Sequence, residues 1–279
     1  MEPKFDNVRI ITVAPVGAWP TKKENPNVPL TPEEVAEEVY QCWKEGAAVA
    51  HIHVRDKDGK PCMDFDRFCE TVERIRAHKD CDIILNLTSA GASNVPDEDR
   101  IRHIEALKPE IASFDCGTMN WQHSFIADNS PQFLEKLGLR LQKANVVPEI
   151  EIFDSGMIFE ALYYLKTGVL KAPLHFQFCL GVPGGMPASV ENLLFMLSKI
   201  PEGSTWSAFG VGKMSMPITL ATIALGGQLR VGMEDNVMIS KGVLAESNMQ
   251  LVRRAKDLLE AAGCRAATPA EARKILSLD

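Results

Sequence analysis

The chain has 279 residues, 46% apolar and 24% charged, with a formal net charge of -7. That is enough for one large domain or two small ones, with the composition of an ordinary soluble globular protein. The acidic balance leaves no basic stripe and argues against a nucleic-acid partner, although a few local arginines could still hold an anionic ligand.

No apolar run reaches membrane-spanning length, since the nearest candidate, residues 214–225, is short and broken by Pro217. Residues 1–7 are polar and acidic, so no secretory leader is expected. The seven cysteines lack the paired spacing of a zinc ribbon or a disulfide framework and fit a reducing cytoplasm.

Short apolar strands alternate with longer amphipathic helices along the whole chain. A strand is expected over 10–16. Thr31 then caps a helix over 32–45, with Pro32 first, Glu34 three residues past the cap and Gly46 closing it. A strand over 48–54 precedes a helix over 66–77, and a strand over 82–87 a helix over 96–107. The strand over 111–115 is followed by a helix over 130–144, and that over 148–153 by one over 156–167. The last three pairs are 175–180 with 189–199, 204–209 with 214–225, and 229–232 with 241–262. Eight strand–helix units without a long linker predict one closed (β/α)8 TIM barrel over residues 1–279, with a doubly wound sheet as the alternative.

A barrel puts its reactive groups at the C-terminal ends of its strands, and polar residues gather there. His51 and His53, two apart on an extended strand, turn their imidazoles to the same side. Glu234 lies in Arg230-Val231-Gly232-Met233-Glu234-Asp235-Asn236 and would complete a two-histidine, one-carboxylate metal set with a position open for substrate. The second and eighth strands both neighbour the first only if the sheet closes. Zinc suits this donor set best, and the same triad could hold iron. Glu234 and Asp235 also have a plainer reading as carboxylates at a helix N-terminus. Beside a ligand, Asp235 could instead serve as a general base.

Arg230 interrupts the eighth strand, where its guanidinium either pairs with an internal carboxylate or forks onto a substrate carboxylate. Arg55 has the same two readings, with a neighbouring acid such as Asp56 preferred. Asn86 and Thr88 follow the third strand, Asp115 and Thr118 the fourth, and Glu149 and Glu151 lie in the fifth, with Asn86, Thr118, Glu149 and Glu151 as candidate substrate contacts. Gly210-Val211-Gly212 ends the seventh strand, where barrels often rest a phosphate on backbone donors. Gly181-Val182-Pro183-Gly184-Gly185 either covers a large ligand or simply turns.

The chain resembles the β-keto acid cleavage enzymes over nearly all its length. The likeness is carried by residues 11–18, Val28-Pro29-Leu30-Thr31-Pro32-Glu33-Glu34, His51-Ile52-His53-Val54-Arg55-Asp56 and Phe114-Asp115-Cys116-Gly117-Thr118-Met119-Asn120. It continues in Pro148-Glu149-Ile150-Glu151-Ile152-Phe153-Asp154, Gly203-Ser204-Thr205-Trp206 and residues 230–236. The resemblance implies a zinc-dependent, tetrameric (β/α)8 enzyme with acetyl-CoA as co-substrate. Such an enzyme converts a β-keto acid to acetoacetate and a new acyl-CoA. His51, His53 and Glu234 fall on the family's metal ligands, and Arg230 and Asp235 on its catalytic arginine and acid/base aspartate. Thr88 falls on a substrate-contacting hydroxyl, but the loop here reads Thr88-Ser89-Ala90-Gly91, which leaves Thr88 and Ser89 both candidates.

One departure bears on specificity. Members that act on an amino substrate carry a glutamate in the first βα loop that helps hold the ammonium, and the aligned residue here is Trp19. A second carboxylate of that site is retained in the fifth strand, as Glu151. Losing one acceptor favours a neutral or apolar distal group, or a quaternary ammonium of the dehydrocarnitine kind, which meets an indole face well. A metal-dependent aldolase or hydrolase on the same barrel is the rival enzymatic reading, and a non-enzymatic metal-binding barrel the other.

Overall fold

The computed structural model describes residues 6–278. Eight parallel strands form a closed barrel: β1 (Ile11–Val13), β2 (Val49–Ile52), β3 (Ile84–Leu87), β4 (Ile111–Asp115), β5 (Val147–Ile152), β6 (His175–Leu180), β7 (Thr205–Gly210) and β8 (Gln228–Val231). They follow one another around the ring, and closure comes from β8 pairing with β1, Arg230 opposite Thr12. The helices α1 (Pro32–Glu45), α2 (Phe65–Ala77), α3 (Asp97–Leu107), α4 (Pro131–Ala144), α5 (Ser155–Thr167), α6 (Val190–Leu197), α7 (Ser215–Leu225) and α8 (Asn248–Ala261) succeed the strands in turn, and α9 (Pro269–Ile275) ends the chain.

Strand side chains alternate between two environments. Ile150, Ile152, Phe176 and Phe178 belong to the large apolar core that also contains Phe68, Leu137 and Leu251 from the helices. Their neighbours Glu149, Glu151, His175 and Gln177 are buried yet polar, and bonds between non-adjacent strands place the two glutamates in the barrel interior. A smaller apolar cluster of Val8, Ile10, Val49, Ile84 and Ile111 is stoppered by Ala272 and Leu276 around α9. The parallel pair Val8–Arg9 with Arg265–Ala266 lies at the same end. The barrel thus has an apolar floor beneath a polar upper interior.

The helix starts follow the local chemistry. Thr31 and Glu34 form the expected capping box and Gly46 ends α1 at φ 124°, while Ser130 caps α4 and Asp154 caps α5. Most boundaries shift by a few residues, as in the first strand, which ends at Val13 rather than 16, and two differ for a local reason. The second strand leaves the barrel after Ile52, and Val54–Arg55 pairs instead with Pro61–Cys62. The last predicted helix starts at Asn248 rather than 241, because Gly242 turns a hairpin (Met238–Ser240 with Val243–Leu244) and Ser247 supplies the cap. Among the described residues no helix is long and apolar enough to cross a membrane, and all seven cysteines are free.

Candidate active site

At the C-terminal end of the barrel, β1, β2 and β8 bring together residues separated by almost the whole chain. The Nε2 atoms of His51 and His53 lie 3.1 Å apart, and Glu234 Oε1 is 3.9 Å from the first and 3.5 Å from the second. A tetrahedral ion with bonds of about 2.0–2.1 Å separates its ligand atoms by about 3.3–3.4 Å. Glu234 Oε2 and the Nδ1 atoms of both rings are buried without a hydrogen-bond partner. Burial, reinforced by the nearby Arg230 charge, holds His51 well below the ordinary histidine pKa and His53 down at about 3. Both imidazoles are therefore neutral, as metal ligation requires. The residues fit a divalent cation.

The charge count around Arg230 supports the same fit. Its guanidinium donates to Asp235 through Nε and Nη2, each at 3.0 Å. Nη2 also reaches Glu234 Oε1 at 2.6 Å, and Nη1 reaches Glu151 Oε1 at 3.2 Å. Its face rests 4.4 Å from the centre of the Phe209 ring. Despite desolvation, Asp235, Glu234 and Glu151 hold it firmly in the charged form. Three carboxylates on one guanidinium leave up to two negative charges unbalanced. Burial accordingly pushes Glu234 up to about 8, raises Asp235, and, with Asp115 alongside, raises Glu151 well above the usual carboxylate range.

The backbone is shaped to permit this approach. A Cβ on Gly17 would stand 2.3 Å from Glu234 Cγ, and one on Gly232 would stand 2.0 Å from the Ala14 carbonyl oxygen. Gly232 is at φ 149°, which starts the turn that delivers Glu234 and Asp235. Arg55 adopts neither expected role. It is buried and donates to Gly17 O at 2.8 Å from Nε, to Pro20 O at 2.7 Å and to Gly59 O at 3.0 Å. A buried guanidinium thus fixes the first βα loop against Glu234, because the loop carbonyls need donors that Asp56 cannot supply. The Asp56 carboxylate accepts instead from the amides of Asp58 and Lys60.

A cavity of about 110 Å³ opens onto this cluster, lined by His53, Arg230, Glu234, Asp235, Glu151 and Thr88 with Trp19, Trp121, Phe153 and Phe209. A further cavity of about 440 Å³ shares Ala18, Trp19, Ala90, Asp115, Trp121 and Gln122 with it and continues toward Arg100 and Phe133. Thr88 faces the inner cavity, whereas Ser89 is buried against Ser113, donating to its carbonyl at 2.9 Å. Asn86 and Glu149 lie deeper, bonded to each other at 2.6 Å. Thr118 is exposed and anchors a surface loop, accepting from Asn129 N at 2.9 Å. The Gly212 amide donates to Asp235 O at 2.9 Å, Gly210 is packed against the Met214 carbonyl, and Val211 between them lines the inner cavity.

Asp115, Trp121, Phe153 and Phe209 belong to the cavity although no motif marked them as site residues. Trp121 gets there on a hairpin, Met119–Trp121 with Phe125–Ala127, whose turn contains Gln122 and His123 at positive φ. Asp115 had a signal in its position at the end of β4.

Comparison with known proteins matches this architecture. The model of the beta-keto acid cleavage enzyme family aligns with residues 9–278. The chain belongs to that family. It is 46% identical over 269 residues to a 3-keto-5-aminohexanoate cleavage enzyme of Fusobacterium nucleatum, covering 96% of this chain and 97% of the relative. It is 35% identical to a 3-dehydrocarnitine:acetyl-CoA trimethylamine transferase of Rhizobium meliloti, covering 96% of each. In fold it matches the ternary complex of ObcA with C4-CoA adduct and oxalate, at a TM-score of 0.80 and 20% identity, over 90% of this chain and 68% of that one.

The geometry sets one test. Gly17→Ala should displace Glu234 while leaving the circular dichroism spectrum unchanged, and His53→Ala should remove a ligand outright. After dialysis, elemental analysis should find less divalent metal in the first variant than in the parent and none in the second. Full occupancy in His53→Ala would contradict the ligand assignment.

Proposed function

We propose that this family member is a zinc-dependent transferase that converts a β-keto acid and acetyl-CoA into acetoacetate and an acyl-CoA. The observation that carries this reading is the convergence of the His51, His53 and Glu234 donors with an Arg230–Asp235 pair on one small cavity. A divalent ion held by the three donors would hold the substrate carboxylate and draw electron density from its ketone.

Asp235 is the base. Its raised pKa makes it a stronger proton acceptor than an exposed aspartate. Arg230 grips both of its oxygens and fixes their direction, and each retains a lone pair for the substrate α-proton. With that proton on Asp235, the α-carbon attacks the acetyl carbonyl of acetyl-CoA and the CoA thiolate leaves. The thiolate then adds to the original ketone, the bond from that carbon to the α-carbon breaks, and Asp235 returns the proton to give acetoacetate. Arg230 supplies a fixed positive charge beside the developing negative charge, in a site that excludes bulk water. Thr88, which lines the cavity, would donate its hydroxyl to the substrate.

For the distal group of the substrate we favour a neutral, apolar or quaternary-ammonium moiety. Trp19, Trp121 and Phe153 give the cavity an aromatic wall beside Glu151, a combination suited to a cation without N–H donors. One observation favours a primary ammonium instead: Asp115 Oδ1 is buried, unpartnered and could accept from it. The outer faces of α5, α6 and α7 expose Phe159, Tyr163, Leu194, Phe195 and Leu220, which supports assembly of several copies, read here as a homo-tetramer.

Asp235→Asn should keep metal and β-keto acid binding but lose exchange of the substrate α-protons with deuterated solvent. Parent-like exchange would place the base elsewhere. Specificity is read from kcat/KM on a panel of neutral, quaternary-ammonium and primary-amine β-keto acids. Trp19→Glu should shift preference toward the amine by more than the roughly 1–3 kcal/mol of ordinary pocket-size discrimination, because a buried ammonium gains an acceptor. A parent that already prefers the amine would show that Asp115 and Glu151 suffice.

A further inference from the structure

Beneath the cavity, a line of polar side chains, buried except for the half-buried Thr205 at its end, crosses the barrel from β2 to β7. Asn86 sits on β3 in register with His51 on β2, and both are buried. Its Nδ2 donates to Glu149 Oε1 on β5 at 2.6 Å. Glu149 Oε2 lies 3.5 Å from His175 Nε2 on β6, and His175 Nδ1 lies 2.9 Å from Thr205 Oγ1 on β7. Glu149 is 1% exposed and does not line the cavity, so it has no route to substrate.

We infer that Asn86 and Glu149 are positioning residues that fix the ring orientation and tautomer of His51 so that its Nε2 lone pair faces His53 and Glu234. A carboxylate only accepts hydrogen bonds, so Glu149 selects the amide nitrogen of Asn86 and turns Asn86 Oδ1 the other way. That oxygen is buried without a partner, and so is His51 Nδ1, with the Asn86 side chain within interaction range of the ring. Each orphan carries the desolvation cost of an unmade bond. A neutral imidazole has one ring proton. Placed on Nδ1, the proton points toward the Asn86 side, and a small closure of the gap would let one bond to Asn86 Oδ1 serve both orphans. Nε2 is then left unprotonated where it faces His53 Nε2 and Glu234. With the proton on Nε2, both buried atoms would stay unpaired and the ring would be turned against a cation. An outer acceptor of this kind sets ligand orientation and basicity. The inference deepens the metal reading of the site, but its geometric half concerns the metal-free ring.

The test uses the full-length protein labelled with heavy nitrogen at histidine, whose six residues make a tractable spectrum. Ring-nitrogen shifts in the metal-free parent should show His51 protonated at Nδ1. Asn86→Leu removes the acceptor, and Glu149→Gln lets the Asn86 amide turn over. Both should lose that tautomer preference and bind zinc roughly 10–100-fold more weakly, measured by competition with a chelator. Should Asn86→Leu fail to fold, Glu149→Gln carries the same readouts. Parent His51 protonated at Nε2, or variants matching the parent in tautomer and affinity, would overturn the inference. A parent with the Nδ1 tautomer that binds no divalent metal would support the orientation while overturning the metal reading.

Discussion

A single buried guanidinium organises this molecule. Arg230 touches Asp235, Glu234 and Glu151 inside a barrel whose walls exclude water. Taking so many charges out of solvent is costly unless each is paired. Arg230 pairs with all three carboxylates but cannot neutralise them. The imbalance is met by holding some of the acids protonated or by admitting a cation, and the neutral imidazoles of His51 and His53 stand where a cation would complete its ligand set. One constraint thereby explains the raised carboxyls, the neutral histidines and the orientation of Asp235.

The barrel makes that constraint affordable to the fold. Its apolar floor and outer core supply the packing, which leaves the upper interior free for polar groups that contribute chemistry rather than stability. Closure through β8 and β1 sets Arg230 beside Thr12, and the next pairing, β1 with β2, sets Thr12 beside Val49, two residues before His51. Gly17 and Gly232 then allow backbone and carboxylate to approach more closely than a side chain would permit. Arg55 shows how an active-site loop can be fixed by side chain to backbone bonds alone.

Much of this was readable in the chain. The alternation of apolar runs with capped helices implies the barrel, and His51, His53, Arg230, Glu234 and Asp235 announce themselves by spacing and by sitting at strand ends. What the sequence obscured depends on contacts between distant segments. Arg55 looked like one half of an ion pair because its adjacent acid is visible and the loop carbonyls it serves are not. Asn86 and Glu149 read as substrate contacts, since a one-dimensional pattern gives the facing of a strand residue but not its depth in a barrel. Trp121 reaches the cavity on a hairpin that carries no strong turn signature. The C-terminal α9 lies outside the eight expected units, although Thr268-Pro269-Ala270-Glu271 repeats the signature that opens α1 and both form full capping boxes.

The fate of the acetyl group distinguishes the proposed reaction from its rivals. Acetyl-CoA carrying heavy carbon at its acetyl carbonyl, incubated with enzyme and an unlabelled β-keto acid, should deliver the label to the ketone carbon of acetoacetate. The new acyl-CoA should contain none. Label in the acyl-CoA, or acetoacetate released without acetyl-CoA, would contradict the attack of the substrate α-carbon on the acetyl group and with it the proposed reaction.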